Sequence, residues 1–191
     1  ETQIKEVLNS FLGESTQTTP IYSAVKVNGK KLYEYAREGI EVELPTRDIN
    51  ITNIELISFN NDEIKFKTTV SKGTYIRALI DDICKKLNTV GAMSSLIRTK
   101  QGKFTIENSY TIEDIQNGNY QITTIEEALS DIETININEE LYNKVKNGSI
   151  IEKTFNNDIA CLKYNNKIIA IYKEYDKDYS KAKPFKMFIN D

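Results

Sequence analysis

Ser71-Lys72-Gly73-Thr74-Tyr75-Ile76-Arg77 is the stretch at which the periodicity of the chain changes. Before it Ile64, Phe66, Thr68 and Val70 alternate, the pattern of a half-buried strand. After it Ile76, Leu79, Ile80, Ile83 and Leu87 share one helical face. The stretch therefore predicts a strand running into a helix, with Gly73 permitting a tight turn between them. It also leaves a lone arginine, Arg77, in the first helical turn, where the helix dipole repels a cation by a few tenths to ~1 kcal/mol. An anion beside Arg77 would account for that choice. A carboxylate from elsewhere in the fold and a phosphate both qualify, because helix N-termini bind both.

Working outward, Ile49, Ile51, Ile54, Leu56 and Phe59 predict a second strand, joined to the first through Asn60-Asn61-Asp62. Asp81 and Asp82 stand four positions before Lys85 and Lys86, which reads as solvated ion pairing rather than a catalytic carboxylate pair. Ser94 to Phe104 reads as a strand closing against the same sheet. Upstream, Ile4, Val7, Leu8, Phe11 and Leu12 predict a helix stopped by Gly13, then a polar loop from Glu14 to Pro20 and a strand from Ile21 to Asn28. Asn28-Gly29 marks a turn, and Leu32 to Ala36 suit a short helix ending at Gly39. A helix opening so abruptly, with no initiator methionine, suggests the trailing part of something longer.

Downstream, two Thr-Ile-Glu segments, from Thr111 and Thr124, predict short capped helices. Asn136 to Asn147 reads as a helix. Ile159 to Tyr164, Lys167 to Tyr172 and Pro184 to Ile189 read as strands, with Asn165-Asn166 turning the first into the second. The expected class is α+β, with residues 1–133 as one domain and residues 134–191 as a small β-rich one.

The 191 residues carry a net charge of -3, unevenly distributed. Residues 65–103 hold nine basic and two acidic residues, whereas residues 104–143 hold nine acidic and none basic. A basic segment on an otherwise acidic chain is the footprint expected of a polyanion partner. Residues 20–48 interleave Tyr22, Tyr33 and Tyr35 with lysines; such a pattern grips RNA by stacking and phosphate contact, and equally forms ordinary amphipathic cover. There is no histidine, so acid–base work falls to carboxylate, lysine or tyrosine. Cys84 and Cys161, far apart among apolar neighbours, read as small buried hydrophobes. The absence of a signal-peptide pattern, of a membrane-span pattern and of any metal-ligand set leads to the expectation of a cytoplasmic, metal-free protein.

Tyr22-Ser23-Ala24-Val25-Lys26-Val27-Asn28-Gly29-Lys30-Lys31-Leu32-Tyr33-Glu34-Tyr35-Ala36-Arg37-Glu38-Gly39, then Ser71 to Arg77, then Leu96-Ile97-Arg98-Thr99 with Gly102 and Phe104, resemble in order and spacing the TruB family of tRNA pseudouridine synthases. The resemblance covers roughly residues 1–130. Gly148, the Asn165-Asn166 hairpin and Lys183-Pro184-Phe185-Lys186 resemble the family's PUA-type RNA-binding domain.

The resemblance implies part of the mixed-sheet synthase catalytic domain followed by a PUA-like domain. It implies isomerisation of the T-loop uridine of tRNA, flipped out of its stack, without metal or organic cofactor. Arg77 corresponds to the arginine that pairs with the catalytic aspartate, Tyr75 to a tyrosine lining the uridine pocket, and Ile76 and Leu96 to its apolar wall. Lys72 is implied to meet phosphate, and residues 20–48 match a thumb that closes on the T-arm through Lys26, Lys30, Lys31 and Arg37. Arg98 is the basic residue of the third motif; Ile97 departs from members that carry a second basic residue there. The family's Gly-x-x-Asp-Pro-like catalytic loop does not occur in these residues, and Asp48, after Pro45-Thr46-Arg47, reads as a turn residue. The implied catalytic aspartate thus lies upstream of Glu1. The alternative is a non-catalytic RNA-binding module on the same scaffold. Loss of an upstream half would expose a sheet edge and apolar surface, which invites self-association.

Overall fold

The computed structural model describes residues 1–60 and 62–188, so the turn position Asn61 and the end of the last expected strand, Ile189, lie outside the described residues. The chain divides into two compact units, Glu1–Lys103 and Phe104–Asp191.

In the first unit the order is α1 (Thr2–Asn9), β1 (Gly13–Thr18), β2 (Lys26–Val27), β3 (Lys30–Lys31), α2 (Leu32–Glu38), β4 (Thr46–Phe59), β5 (Ile64–Val70), α3 (Ile76–Lys86) and β6 (Lys100–Gln101). Strands β1, β4 and β5 form an antiparallel sheet in that spatial order. Ile4 and Leu8 of α1 and Leu79 and Ile83 of α3 pack with Ile49, Ile51 and Ile54 of β4 in one core. The register of β4 with β5 shifts between Ile51 and Asn53, and the buried positions change from odd to even across that irregularity. An extra residue on one strand turns every later side chain over. That is why the apolar spacing 49, 51, 54, 56 still describes one core face.

The strand and helix flanking Ser71–Arg77 and the β4–β5 pair lie where the apolar pattern puts them. The stretch from Glu14 to Pro20, expected as a loop, is instead largely strand. β1 is polar and only Gln17 in it is buried, so its backbone pairing with β4, not apolar alternation, makes the strand. The strand expected over Ile21–Asn28 shrinks to Lys26–Val27 because the chain bends at residues 21–24, where the Ser23 N–H donates to the Ile21 carbonyl. Asn28 and Gly29 both take positive φ, 51° and 82°, the turn that matches the twist of a two-residue hairpin. Of the strand expected over Ser94–Phe104, β6 and Phe104 are extended, and both lie outside the three-stranded sheet. Residues 90–99 take no regular structure, and Leu96 and Ile97 stand in solvent. Lys85 pairs with Asp82 at 2.9 Å, three positions away rather than four. Lys86 leaves the helix face to donate to the Ser10 hydroxyl at 2.8 Å and lie over the Phe11 ring.

The second unit comprises β7 (Phe104–Thr105), α4 (Ile112–Gln116), α5 (Ile125–Ala128), β8 (Thr134–Asn136), α6 (Glu139–Val145), β9 (Ile151–Glu152), β10 (Ile159–Tyr164), β11 (Lys167–Tyr175) and β12 (Asp178–Met187). A five-stranded mixed sheet has the order β8-β10-β11-β12-β9, with β8 parallel to β10. Thr111 and Thr124 cap α4 and α5 reciprocally with Asp114 and Glu127, as the Thr-Ile-Glu signals predict. The helix expected from Asn136 begins at Glu139 with Asn138 as its cap, and residues 134–136 serve as β8.

One side of the sheet packs Val145, Phe155, Leu162 and Tyr172. Burial pushes the Tyr172 hydroxyl up to about 12, and it donates to the Ser149 carbonyl at 2.9 Å. Cys161, Ile168 and Ile171 are covered by Leu129 and Ile132. Glu126 accepts the Ile168 N–H at 3.0 Å, and Glu133 accepts the backbone N–H groups of Asn156 and Asn157. Much of the acidic stretch read as the end of the first domain is therefore part of the second unit, because its few apolar side chains and two carboxylates complete that sheet.

Candidate functional site

The turn before α3 is built by short polar side chains. Ser71 exchanges hydrogen bonds with Asn50: its N–H donates to the Asn50 carbonyl at 2.8 Å, and its hydroxyl accepts the Asn50 N–H at 2.9 Å. The Thr74 hydroxyl and N–H both donate to the Ser71 carbonyl. Gly73 has φ +91°, a conformation side chains rarely adopt, and a Cβ there would lie 2.6 Å from Nη1 of Arg47. The positive φ favours glycine here, and a Cβ would also displace the end of the Arg47 side chain.

Tyr75 is the extended N-cap residue of α3 and is half-buried. Its N–H donates to Oε1 of Gln17 at 2.8 Å, and its carbonyl accepts from Nε2 of the same side chain at 3.1 Å. The Arg47 guanidinium lies 5.2 Å from the Tyr75 ring centroid, and its Nη1 donates to the Gly73 carbonyl at 3.0 Å. Ile76 is half-buried, while Lys72 and Arg77 are exposed. Nη2 of Arg77 donates to the Tyr22 carbonyl at 2.9 Å. Among the described residues Arg77 forms no ion pair. Its partner is a backbone carbonyl rather than an anion, which leaves further guanidinium donors for a planar oxyanion.

Tyr22, the root of the 20–48 segment, is thus tied to the start of α3. Beyond it the β2–β3 hairpin sets Lys26 opposite Lys31 and Val27 opposite Lys30. Lys30 pairs with Glu38 and lies 4.9 Å from the Tyr35 ring, whose hydroxyl donates to the Val27 carbonyl. Lys31 and Arg37 both approach the Tyr33 ring, at 5.4 and 5.3 Å. Tyr33 and Tyr35 therefore hold cations within the segment, and Tyr22 is the tyrosine left well exposed, at 60%. Arg98 donates to Gln101, and Leu96 is 58% exposed. Arg77, Tyr75, Ile76 and Lys72 form one local group and the hairpin cations another; Leu96 and Arg98 lie on the irregular run. Asp48 is an exposed residue of β4 that accepts from the Thr16 hydroxyl at 3.3 Å, a strand residue and not a turn residue.

Gln17 and Arg47 were not singled out by their sequence context. Gln17 lies in a polar run with the composition of a loop, and its amide acts on a residue 58 positions away. No local signal carries that pairing.

Residues 1–76 match the family model for the N-terminal domain of TruB family pseudouridylate synthase, and residues 77–135 that for the tRNA pseudouridylate synthase B C-terminal domain. A tRNA pseudouridine synthase B of Caldanaerobacter subterraneus is 44% identical over 171 residues, covering 88% of this chain and 60% of the relative. One of Halalkalibacterium halodurans is 38% identical over 204 residues, covering 100% of this chain and 67% of the relative. The chain thus spans about three fifths to two thirds of the length of these relatives. A solved Cbf5-Nop10-Gar1 complex contains a chain with the same fold, at TM-score 0.67 and 22% identity, over 100% of this chain and 61% of that one. With its motifs in family order and relatives matched across its length, the chain belongs to the TruB family of pseudouridine synthases.

Proposed function

We propose that residues 1–191 form the arginine-bearing part of a tRNA pseudouridine synthase that isomerises the T-loop uridine of tRNA. The carrying observation is Arg77, an exposed guanidinium at a helix start, beside a half-buried tyrosine and without an ion-pair partner among the described residues. In this reading Arg77 holds the catalytic carboxylate, Tyr75 lies against the uracil, and Ile76 and Leu96 supply apolar contact. The glycosidic bond breaks, the base turns within the pocket and rejoins the ribose through C5, and the C5 hydrogen leaves as a proton. Neither metal nor organic cofactor takes part.

The carboxylate comes from a segment outside residues 1–191: none of the three prolines follows an aspartate, and no Gly-x-x-Asp-Pro loop occurs. Lys26, Lys30, Lys31 and Arg37 on the 20–48 segment, with Lys72 and Arg98, contact the T-arm backbone, and residues 134–191 act as a PUA-like RNA-binding domain. The protein works in the cytoplasm. Among the described residues no helix is long and apolar enough to cross a membrane. Val90, Leu96 and Ile97 of the first unit and Ile112, Ile115 and Ile122 of the second are exposed, so the chain by itself self-associates.

The test is tritium release from tRNA labelled at C5 of uridine. Residues 1–191 alone are expected to release none above background, and addition of the carboxylate-bearing segment is expected to restore release. Release by residues 1–191 alone would show that the carboxylate lies within them.

A further inference from the structure

We infer that Gln17 and Arg47 are a cross-strand pair of positioning residues that hold Tyr75, and with it the start of α3, in the geometry turnover requires. The inference rests on the roles proposed above for Tyr75 and Arg77.

Gln17 and Arg47 are direct partners in the antiparallel β1–β4 register, so their side chains leave the sheet on the same face. Both reach the junction between Gly73 and Tyr75. Gln17 is 2% exposed, and its amide is used on both sides: the oxygen takes the Tyr75 N–H and the nitrogen donates to the Tyr75 carbonyl. Only a primary amide of this length offers a donor and an acceptor there. A glutamate would lose the donor when ionised, and an asparagine is one methylene short. The Tyr75 carbonyl also accepts the Leu79 N–H at 3.1 Å, so the group that Gln17 grips belongs to the first helical bond of α3.

Arg47 acts on the same junction from the other strand. Its Nη1 holds the Gly73 carbonyl, its guanidinium lies by the Tyr75 ring, and its Nε is buried without a partner. A lysine would supply charge without the planar fork that spans carbonyl and ring. Arg77 follows Tyr75 by two residues, so a shift of the junction moves the proposed pocket tyrosine and the proposed carboxylate-binding arginine together. Neither Gln17 nor Arg47 needs to touch the uridine.

The experiment has two arms. In residues 1–191, amide exchange at Tyr75 is compared between wild type and Gln17→Leu, with Leu162 in the second unit as reference. Exchange at Tyr75 is expected to quicken about tenfold or more while Leu162 is unchanged; unchanged exchange at Tyr75 would overturn the inference. In the catalytically complete protein, single-turnover pseudouridine formation and tRNA affinity are measured for Gln17→Glu, Arg47→Ala, Arg47→Lys and Arg77→Ala. Gln17→Glu and Arg47→Ala are expected to slow the single-turnover rate by about tenfold or more with Kd held within about threefold, and Arg47→Lys to recover part of the loss. Normal rates in Gln17→Glu and Arg47→Ala beside a dead Arg77→Ala would sink the positioning role alone. A wild-type protein that forms no pseudouridine in tRNA would instead sink the functional reading, and the Tyr75 exchange would then decide whether the pair holds the junction.

Discussion

At the scale of single residues, Arg77 and Gly73 carry the sharpest expectations. Arg77 is exposed and contributes one hydrogen bond to the fold, so Arg77→Ala should leave folding nearly intact. In the catalytically complete protein it should reduce turnover by roughly 10² or more, since it removes the charge proposed to hold the reacting carboxylate, while tRNA affinity stays within a few fold. Single-turnover kinetics alongside a binding titration separate the two. Gly73→Ala meets two penalties, the φ of +91° and the approach of Arg47 Nη1 to 2.6 Å. Urea unfolding should show a loss of about 1–3 kcal/mol. In an Arg47→Ala background only the backbone part remains, and a coupling of roughly 0.5 kcal/mol or more should appear in the double-mutant cycle. The sequence identified Gly73 and Arg77 because a turn before a helix restricts both positions locally. It did not identify Arg47, whose contact with Gly73 spans 26 residues.

At the scale of elements, α5 shows how an acidic stretch becomes structural. Its N-cap was readable from Thr124, since a capping box spans only four consecutive residues, here closed by Glu127. Its docking was not, because Glu126 meets the Ile168 N–H 42 positions on. That hydrogen bond, with Lys163 and Lys167 nearby, lowers the Glu126 carboxyl below 4.5. A carboxyl lowered on folding stabilises the fold above its unfolded value and loses that contribution as pH falls through its folded value. Protection of the Ile168 amide should therefore hold above about pH 4.5 and decline below it. Glu126→Gln should flatten that dependence, and hydrogen exchange followed across the acid range reads it directly. A profile unchanged by the substitution would show that α5 is held by Leu129 and Ile132 without the carboxylate. The polar strand β1 teaches the complementary lesson: backbone pairing to β4 makes a strand of residues whose side chains carry no alternation.

At the scale of the whole molecule, the uneven charge bears on the proposed contact with RNA. The six basic side chains proposed for tRNA contact make affinity a matter of counterion release. Binding should weaken by about 10³ between 50 and 200 mM salt if all six engage phosphate. Filter binding or anisotropy across that range tests it, and a shallow slope would remove the hairpin cations from the footprint. Lys30 is the first candidate for removal, since Glu38 already neutralises it. Substituting Lys26, which stands exposed at the hairpin, should reduce the slope by about one unit without changing turnover at saturation.

The sequence by itself determined what depends on near neighbours: the β4–β5 pair and α3 from their apolar periods, the Asn-Gly and Asn-Asn hairpins from positive φ, the capped helices, and the ordered motifs that carry the family. Only the tertiary structure decided that a polar run becomes β1, that much of the acidic stretch completes the second sheet, and that Gln17 and Arg47 converge on Tyr75. Those outcomes rest on hydrogen bonds and packing between residues tens of positions apart. Their energies depend on where the backbone has already been placed, and local residue pattern does not encode that placement.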